Sequence, residues 1–393
     1  MRVLVVGAGI AGPTLAYWLQ RFGHEVTLVE HAPKLREGGY VVDFWGAGFD
    51  VADRMGIVPR LMAAGYRFQE VREVSSSGRR IAHFDPRHVI GLNGGRFVTI
   101  ARSDLSRAIY DAANGNVEAI FGDTVASIDD AADRVHVEFE RGAPREFDLV
   151  VGADGLHSRV RRRAFGRDEG HERYLGITVA VFDLPGYRPR DELVAVAHTE
   201  VGHQVLRVAL RDEATMFCFM FRYDGDVPQD DIPAQQELLR RRLGELRWEV
   251  PAILERMPQA RTFYMDHVSQ IRMPSWSRGR IALVGDAAAA PSLLAGQGSA
   301  LAMIEAYVLA YELHEAQGDL RTAFARYERR LAQLIRDKQD AAIRMGAAFA
   351  PSNRIQLLLR NTFVSLMTIP PIANIAMGRS LIDPIRLPPT PAD

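Results

Sequence analysis

A chain of 393 residues, 47% apolar and 25% charged, has the balance of a globular protein with enough apolar mass for a large core of about two domains. A formal net charge of −1 leaves no whole-molecule field for nucleic acid or a membrane, so no nucleic-acid partner is expected. The single cysteine, Cys218, excludes an intramolecular disulfide and a cysteine-rich metal site, and no run of about eighteen uninterrupted apolar residues offers a membrane span.

The chain opens on a β-α-β unit. Residues 3–6 form a short apolar run that stops at Gly7 with no small-residue cleavage site, so a strand is expected there rather than a leader, and the cytoplasm is the expected location. Residues 10–22 place Leu15, Ala16, Leu19 and Phe22 at helical spacing, Gly23 stops the helix, and residues 25–30 return as a strand. A second helix is expected to start at Ser103 as N-cap, with Leu105 and Ile109 on its apolar face. Residues 135–139 alternate as a half-buried strand, and 147–151 read as one buried strand.

Between about Gly170 and Met273 the texture changes. Runs at 177–182, 194–197, 204–210 and 215–221 follow one another closely, which predicts a largely antiparallel sheet interrupted by a helix over 234–246. Cys218 sits in the apolar run 216–220 as a buried structural thiol. Residues 280–284 return to a buried parallel-type strand, and a long helical stretch is predicted over 299–346. The fold class is therefore α/β, with a Rossmann-like domain built from separated segments (1–169 and 272–345). A β-rich substrate domain (170–271, with part of 66–100) is inserted, and a C-terminal helix and tail occupy 346–393. The Pro-rich tail 384–391 is expected to fray.

Gly7, Gly9 and Gly12 form a G-x-G-x-x-G directly after the first strand and at the opening of the first helix. Gly7 permits the tight turn, Gly9 lets the backbone approach a pyrophosphate, and Gly12 allows close helix-strand packing; Ala11 lies in the same turn. Glu30 ends the second strand, where a carboxylate accepts hydrogen bonds from a ribose hydroxyl pair and disfavours a 2′-phosphate. This predicts dinucleotide binding without separating NAD from FAD.

Two later segments separate them. Residues 148–161 run from a strand through Asp154 and Gly155 into a basic helix, and 278–288 form a strand ending in Gly285 and Asp286. Pro291 and then Gly296, Gly298 and Ser299 follow, opening a helix rich in small residues. Together these motifs resemble the flavoprotein aromatic hydroxylases, the family of para-hydroxybenzoate hydroxylase, most closely its tetracycline-inactivating monooxygenase branch. The resemblance runs from Met1 to about Leu313.

It implies that Gly7, Gly9, Ala11, Gly12 and Glu30 bind the ADP half of FAD, and that Gly285 and Asp286 hold the ribityl chain. Asp154, Gly155, Ser158 and Arg161 would lie near both FAD and an incoming nicotinamide nucleotide. The turn of Gly296, Gly298 and Ser299 would place backbone N–H groups, and the positive end of a helix, at the flavin's pyrimidine edge. Arg102 resembles the family's FAD-contacting arginine, Asp43 (after Gly38 and Gly39) an acidic FAD contact, and Val125 a position whose backbone meets the adenine. The sequence departs from the pattern at His31, at Ala288 and Ala289, and at Glu305, where an aspartate is more usual.

By the same resemblance, NADH or NADPH reduces FAD as a transient reductant, and O2 then gives a flavin C4a-hydroperoxide that hydroxylates or epoxidises an aromatic or polyketide-like small molecule. No side chain is assigned as acid or base. Phe182, Met216, Phe217, Phe219 and Met220 are the candidate pocket lining, half of which must face the core by strand alternation. Two rivals remain: FAD as a structural element of a non-redox cyclase or isomerase, and a plain flavin dehydrogenase.

Other features carry less. Arg159, Arg161, Arg162, Arg163 and Arg167 form a basic patch that either attracts nicotinamide-nucleotide phosphates or is a solvated helix face. His198 and His203 lack metal-ligand spacing, and there is no nucleophile elbow. The apolar stretch 355–377, interrupted by Arg360, Asn361, Pro370 and Pro371, is expected to pack across the two domains rather than lie on a membrane surface.

Overall fold

Four of the five residues of strand β1 (Arg2–Val6) are buried, as a parallel strand covered on both faces requires. Helix α1 (Ala11–Arg21) leads from it to β2 (Glu25–Glu30), which pairs parallel with β1. The computed structural model describes residues 1–36, 40–87, 94–113, 115, 117–131, 133–166, 170–369, 372 and 383–390. Gly38, Gly39, Arg167, Pro370, Pro371, Met377 and Pro391 lie outside the described residues.

After β2 come β3 (Val41–Trp45), α2 (Ala47–Arg54), α3 (Val58–Ala64), β4 (Glu70–Val74), β5 (Arg80–Phe84), β6 (Phe97–Ala101) and α4 (Arg102–Ala113). Next are β7 (Glu118–Phe121), β8 (Val125–Asp130), β9 (Val135–Phe139), β10 (Arg145–Phe147), β11 (Leu149–Gly152) and α5 (Arg159–Phe165). The β-rich stretch supplies β12 (Glu172–Pro185), β13 (Val194–Glu200), β14 (His203–Ala209), β15 (Ala214–Arg222), α6 (Ile232–Leu243), α7 (Val250–Arg256) and β16 (Phe263–Ile271). The chain closes with β17 (Ser277–Arg278), β18 (Ile281–Leu283), α8 (Asp286–Ala289), α9 (Gly298–Glu315), α10 (Leu320–Phe349) and α11 (Arg354–Leu366).

One sheet runs β17-β18-β11-β1-β2-β7 and is parallel except for the β17–β18 pair. Its register places Val6 beside Gly152 and Gly152 beside Leu283, so β1, β11 and β18 end side by side although far apart in sequence. The second large sheet, β16-β12-β15-β14-β13-β4-β5, is antiparallel except where β13 meets β4. One of its faces packs Phe182, Phe217, Phe219 and Phe221 against α6 and α7; the other presents Val179, Val181, Met216, Cys218 and Met220. The core around the parallel sheet includes the buried faces of α1, α9 and α10.

The expected order of strands and helices is met, with four differences. Helix α4 begins at Arg102, so Ser103 sits inside its first turn and is no N-cap; the Arg102 N–H donates to Tyr40 O at 3.0 Å. The single strand expected over 147–151 is two, in different sheets, because Asp148 turns between them and accepts the Arg2 N–H and the Arg134 guanidinium. The helix expected over 234–246 spans Ile232–Leu243, capped by Asp231. The long helical stretch breaks after Glu315, where Gln317 and Gly318 adopt positive φ and Asp319 caps α10.

The tail does not fray over its described part. Lys338 Nζ lies 2.6 Å from Asp383, and Arg54 and Tyr307 donate to Pro388 O at 2.6 and 3.1 Å. Helix α11, expected to pack across the two domains, does lie against β5 of the seven-stranded sheet and against α10, yet contains no buried residue.

Candidate active site

The turns that follow β1, β11 and β18 open into one cavity of about 590 Å³. Gly7 sits at φ +108°, and a Cβ there would come within 2.5 Å of Ala153 O, so the first turn can lie against the second only as glycine. Helix α1 starts at this turn with no side-chain cap, leaving its first N–H groups available to an anion. Glu30 lines the cavity and is fixed by two backbone donors, Ala8 N–H at 2.7 Å and Ala32 N–H at 2.9 Å.

Asp154 lines the second turn, accepting Ser158 Oγ–H at 2.5 Å and the Arg159 N–H at 2.7 Å. Burial raises its carboxyl, and those donors pull it back. In the third turn Gly285 adopts φ +63° and presents Asp286 to the cavity. Burial raises the Asp286 carboxyl against the pull of Arg102 and Arg161. Beside it α9 begins with no side-chain cap, and a Cβ on Gly298 would stand 3.9 Å from Asp286 Oδ1. Between them the loop passes through Ser292 at φ +84°, a strained conformation for a non-glycine residue.

Comparison with known proteins bears on this constellation. The model of the FAD binding domain family matches residues 1–331, which holds all three turns. The chain belongs to this family. An uncharacterized protein of Mycobacterium tuberculosis is 38% identical over 83% of this chain and 88% of its own. A flavin-dependent monooxygenase of Legionella longbeachae is 34% identical over 90% of this chain and 91% of its own. The crystal structure of tetracycline destructase Tet(51) matches with a TM-score of 0.84 at 32% identity, over 99% of each chain.

The cavity fits the FAD this family binds. Gly9 and Gly155 leave room that a side chain would fill: a Cβ would meet only Arg102 Nη2 at 3.6 Å at Gly9 and nothing within 4 Å at Gly155. Gln297 Nε2, at the start of α9, and Ser269 Oγ, on the cavity wall, are buried with no hydrogen-bond partner among the described residues. Such donors await an acceptor that the protein does not supply.

Most of the expected residues meet here. Gly7, Gly9, Ala11, Glu30, Asp43, Arg102, Asp154, Gly155, Asp286, Gly296, Gly298 and Ser299 all line the cavity. Asp43 faces it while ringed by protein; burial raises its carboxyl, and Thr99 Oγ1, donating at 2.5 Å, opposes that. Gly12, Val125, Ser158, Arg161 and Gly285 stand behind the wall. Val125 is core, and its neighbour Thr124 reaches the cavity.

Arg161 is fully buried and donates to Leu156 O at 2.6 Å and Ala287 O at 3.0 Å, tying the second turn to the third. It is therefore no part of an exposed basic patch. Of the five pocket candidates, Met216 and Met220 line the cavity with Cys218, whereas Phe182, Phe217 and Phe219 point to the opposite face. Strand alternation decides which.

Sequence reading missed a polar group on the sheet wall. Asp266 Oδ2 lies 2.7 Å from His157 Nε2 and accepts Tyr264 O–H at 3.1 Å. The hydrogen bond that His157 makes to the Asp266 carboxylate raises the imidazole above its ordinary value, and burial holds the Tyr264 phenol well above its own. The three come from the second turn and from β16, so no local spacing could have joined them. A buried glutamine pair was also missed: Gln270 Nε2 donates to Pro291 O at 3.1 Å and Gln339 O at 2.6 Å, bracing the loop before α9.

Proposed function

We propose that the protein is an FAD-dependent, NAD(P)H-consuming monooxygenase that inserts one atom of O2 into an aromatic or polyketide-like small molecule. One observation carries the reading: the three motif turns share a cavity whose opposite wall is the apolar face of the seven-stranded sheet. Bound FAD would supply the redox chemistry, accepting a hydride and delivering oxygen. The chain's residues bind and orient it.

The α1 N-terminus takes the pyrophosphate, Glu30 the adenosine ribose and Asp286 the ribityl chain, with Arg102 beside them. The N-terminus of α9 offers partial positive charge to the flavin's electron-rich edge. Met216, Cys218, Met220, Val179, Val181 and Leu206 make a wall that keeps water from the reacting atoms and suits an apolar ring. Asp154 and Gly155 border the entry of NADH or NADPH. Segments 1–169 and 272–345 form the FAD-binding unit, 170–271 with part of 66–100 the substrate unit, and 346–393 the C-terminal region.

The test is a screen of phenolic and polyketide-like compounds for stimulated NAD(P)H oxidation by the purified FAD-loaded protein, with 18O2 as oxygen source. Label in the product supports the reading. Substrate oxidation without label indicates a dehydrogenase, and product formed without nicotinamide consumption indicates a non-redox role for the flavin.

A further inference from the structure

Helix α11 (Arg354–Leu366) is rich in large apolar side chains, yet none of its residues is buried. Ile355, Leu358, Leu359 and Phe363 are 72%, 68%, 65% and 52% exposed, and Leu366 and Ile369 extend the row. The three- and four-residue spacing puts them along one side of the helix. The helix is anchored: it packs on β5 and the end of α10, and Arg360 meets the buried Glu73 at 2.9 Å and donates to Ala348 O at 3.1 Å. Scattered exposed leucines need no explanation, but a continuous row on a fixed helix marks an interaction surface.

Charge selects the occupant. Between Asp340 and Asp383 the sequence carries Arg344, Arg354, Arg360 and Arg379 and no acidic side chain. Arg344 and Arg354 are exposed, while Arg379 lies outside the described residues. The helix is about 20 Å long, and a second copy set against the same face would bring the exposed Arg344 and Arg354 of both copies together with no carboxylate of this segment to offset them. An interfacial helix needs only an apolar row with basic residues beside it.

We propose that α11 docks the protein reversibly on an anionic lipid bilayer surface, its apolar row entering the headgroup boundary and Arg354 meeting lipid phosphates. Among the described residues no helix is long and apolar enough to cross a membrane, so α11 lies on the bilayer. No residue of α11 lines the cavity, which makes the docking independent of the flavin reading.

The full-length protein is co-sedimented with vesicles of phosphatidylcholine alone or mixed with phosphatidylglycerol. Wild type should pellet with the anionic vesicles, and added salt should weaken the binding. The triple substitution Leu358→Ser, Leu359→Ser, Phe363→Ser should reduce the bound fraction about tenfold or more. Arg354→Glu should weaken binding to the anionic vesicles only. Circular dichroism melts verify the fold, and Leu358→Asp serves as a second variant should the triple one unfold. Wild type left in the supernatant, or pelleting equally with the variants, overturns the proposal. So does light scattering that shows a dimer without lipid, dissolved by the triple substitution, because the face would then join two copies.

Discussion

The position a Cβ would take on Gly12 overlaps the carbonyl oxygen of Gly7, across the turn that opens α1. On Gly9 the same atom would make only ordinary contact, 3.6 Å from Arg102 Nη2. The two glycines therefore serve different ends. Gly12→Ala has to move backbone in the β1–α1 core and should cost about 2 kcal/mol or more in the apo protein. Gly9→Ala should leave the apo melt unchanged and, if the proposed pyrophosphate position is right, weaken FAD binding about tenfold or more by placing a methyl there. Thermal melts and flavin-fluorescence titrations separate the two effects; undiminished FAD binding by Gly9→Ala would remove the pyrophosphate reading.

Glu305 Oε2 accepts the Gly285 N–H at 2.7 Å directly behind Asp286. Burial lifts this carboxyl from 4.5 to about 8, with Asp286 pushing the same way and the Gly285 N–H pulling back. The folded protein thus holds a proton that the unfolded chain releases, and unfolding becomes easier as pH rises. The associated stability is complete below 4.5 and is lost progressively up to about 8. Glu305→Gln should match wild type at the acid end of that window and melt higher at its alkaline end. Glu305→Ala should cost about 1–3 kcal/mol at the acid end, by leaving the Gly285 N–H without an acceptor, and the cost should shrink as pH rises through the window. A melting profile of wild type as steep in the Gln variant would show that another group titrates.

What could be read from sequence was local. Gly7 through Glu30 form one continuous β-α-β unit whose period, turn and carboxylate all agree, so motif and element support each other. Asp154 and Asp286 were legible for the same reason, each ending a buried strand. Pairings across the chain were not. Nothing near Asp266 signals that His157, over a hundred residues away, will meet it. The break at Gln317 and Gly318 was hidden because helical periodicity runs on both sides of it. The docked tail depends on Lys338, Arg54 and Tyr307, partners far from it in sequence.

His157 and Asp266 stabilise the fold in a bounded pH range. Asp266 raises His157 above 6.5, Glu172 helps and Arg162 opposes, with burial working against the charged ring. Burial pushes Asp266 up, but the His157 contact, the His267 N–H and the Tyr264 O–H outweigh it and hold the carboxyl below 3.8. The histidine's contribution is full below 6.5 and lost as pH rises through its folded value; the aspartate's is full above 3.8 and lost as pH falls through its own. The pair therefore contributes most between the two. Asp266→Asn should move the His157 titration down, visible by NMR of the imidazole, and cost about 1 kcal/mol in that window, reduced by the half-exposed ring. An unchanged His157 titration would refute the coupling.

Cys218 stands on the apolar wall between Met216 and Met220, and burial alone pushes its thiol up to about 12. Only the thiolate attacks an alkylating reagent, so near pH 8 the reactive fraction should be roughly a thousandfold below that of a free cysteine. Iodoacetamide followed by mass spectrometry should leave the folded protein unmodified while labelling the denatured chain stoichiometrically. The residual rate should climb about tenfold per pH unit, as expected of a group still far below its midpoint. Fast, pH-insensitive labelling of the native protein would place the thiol in a polar, water-filled chamber, and that wall could not then keep water from a reacting substrate.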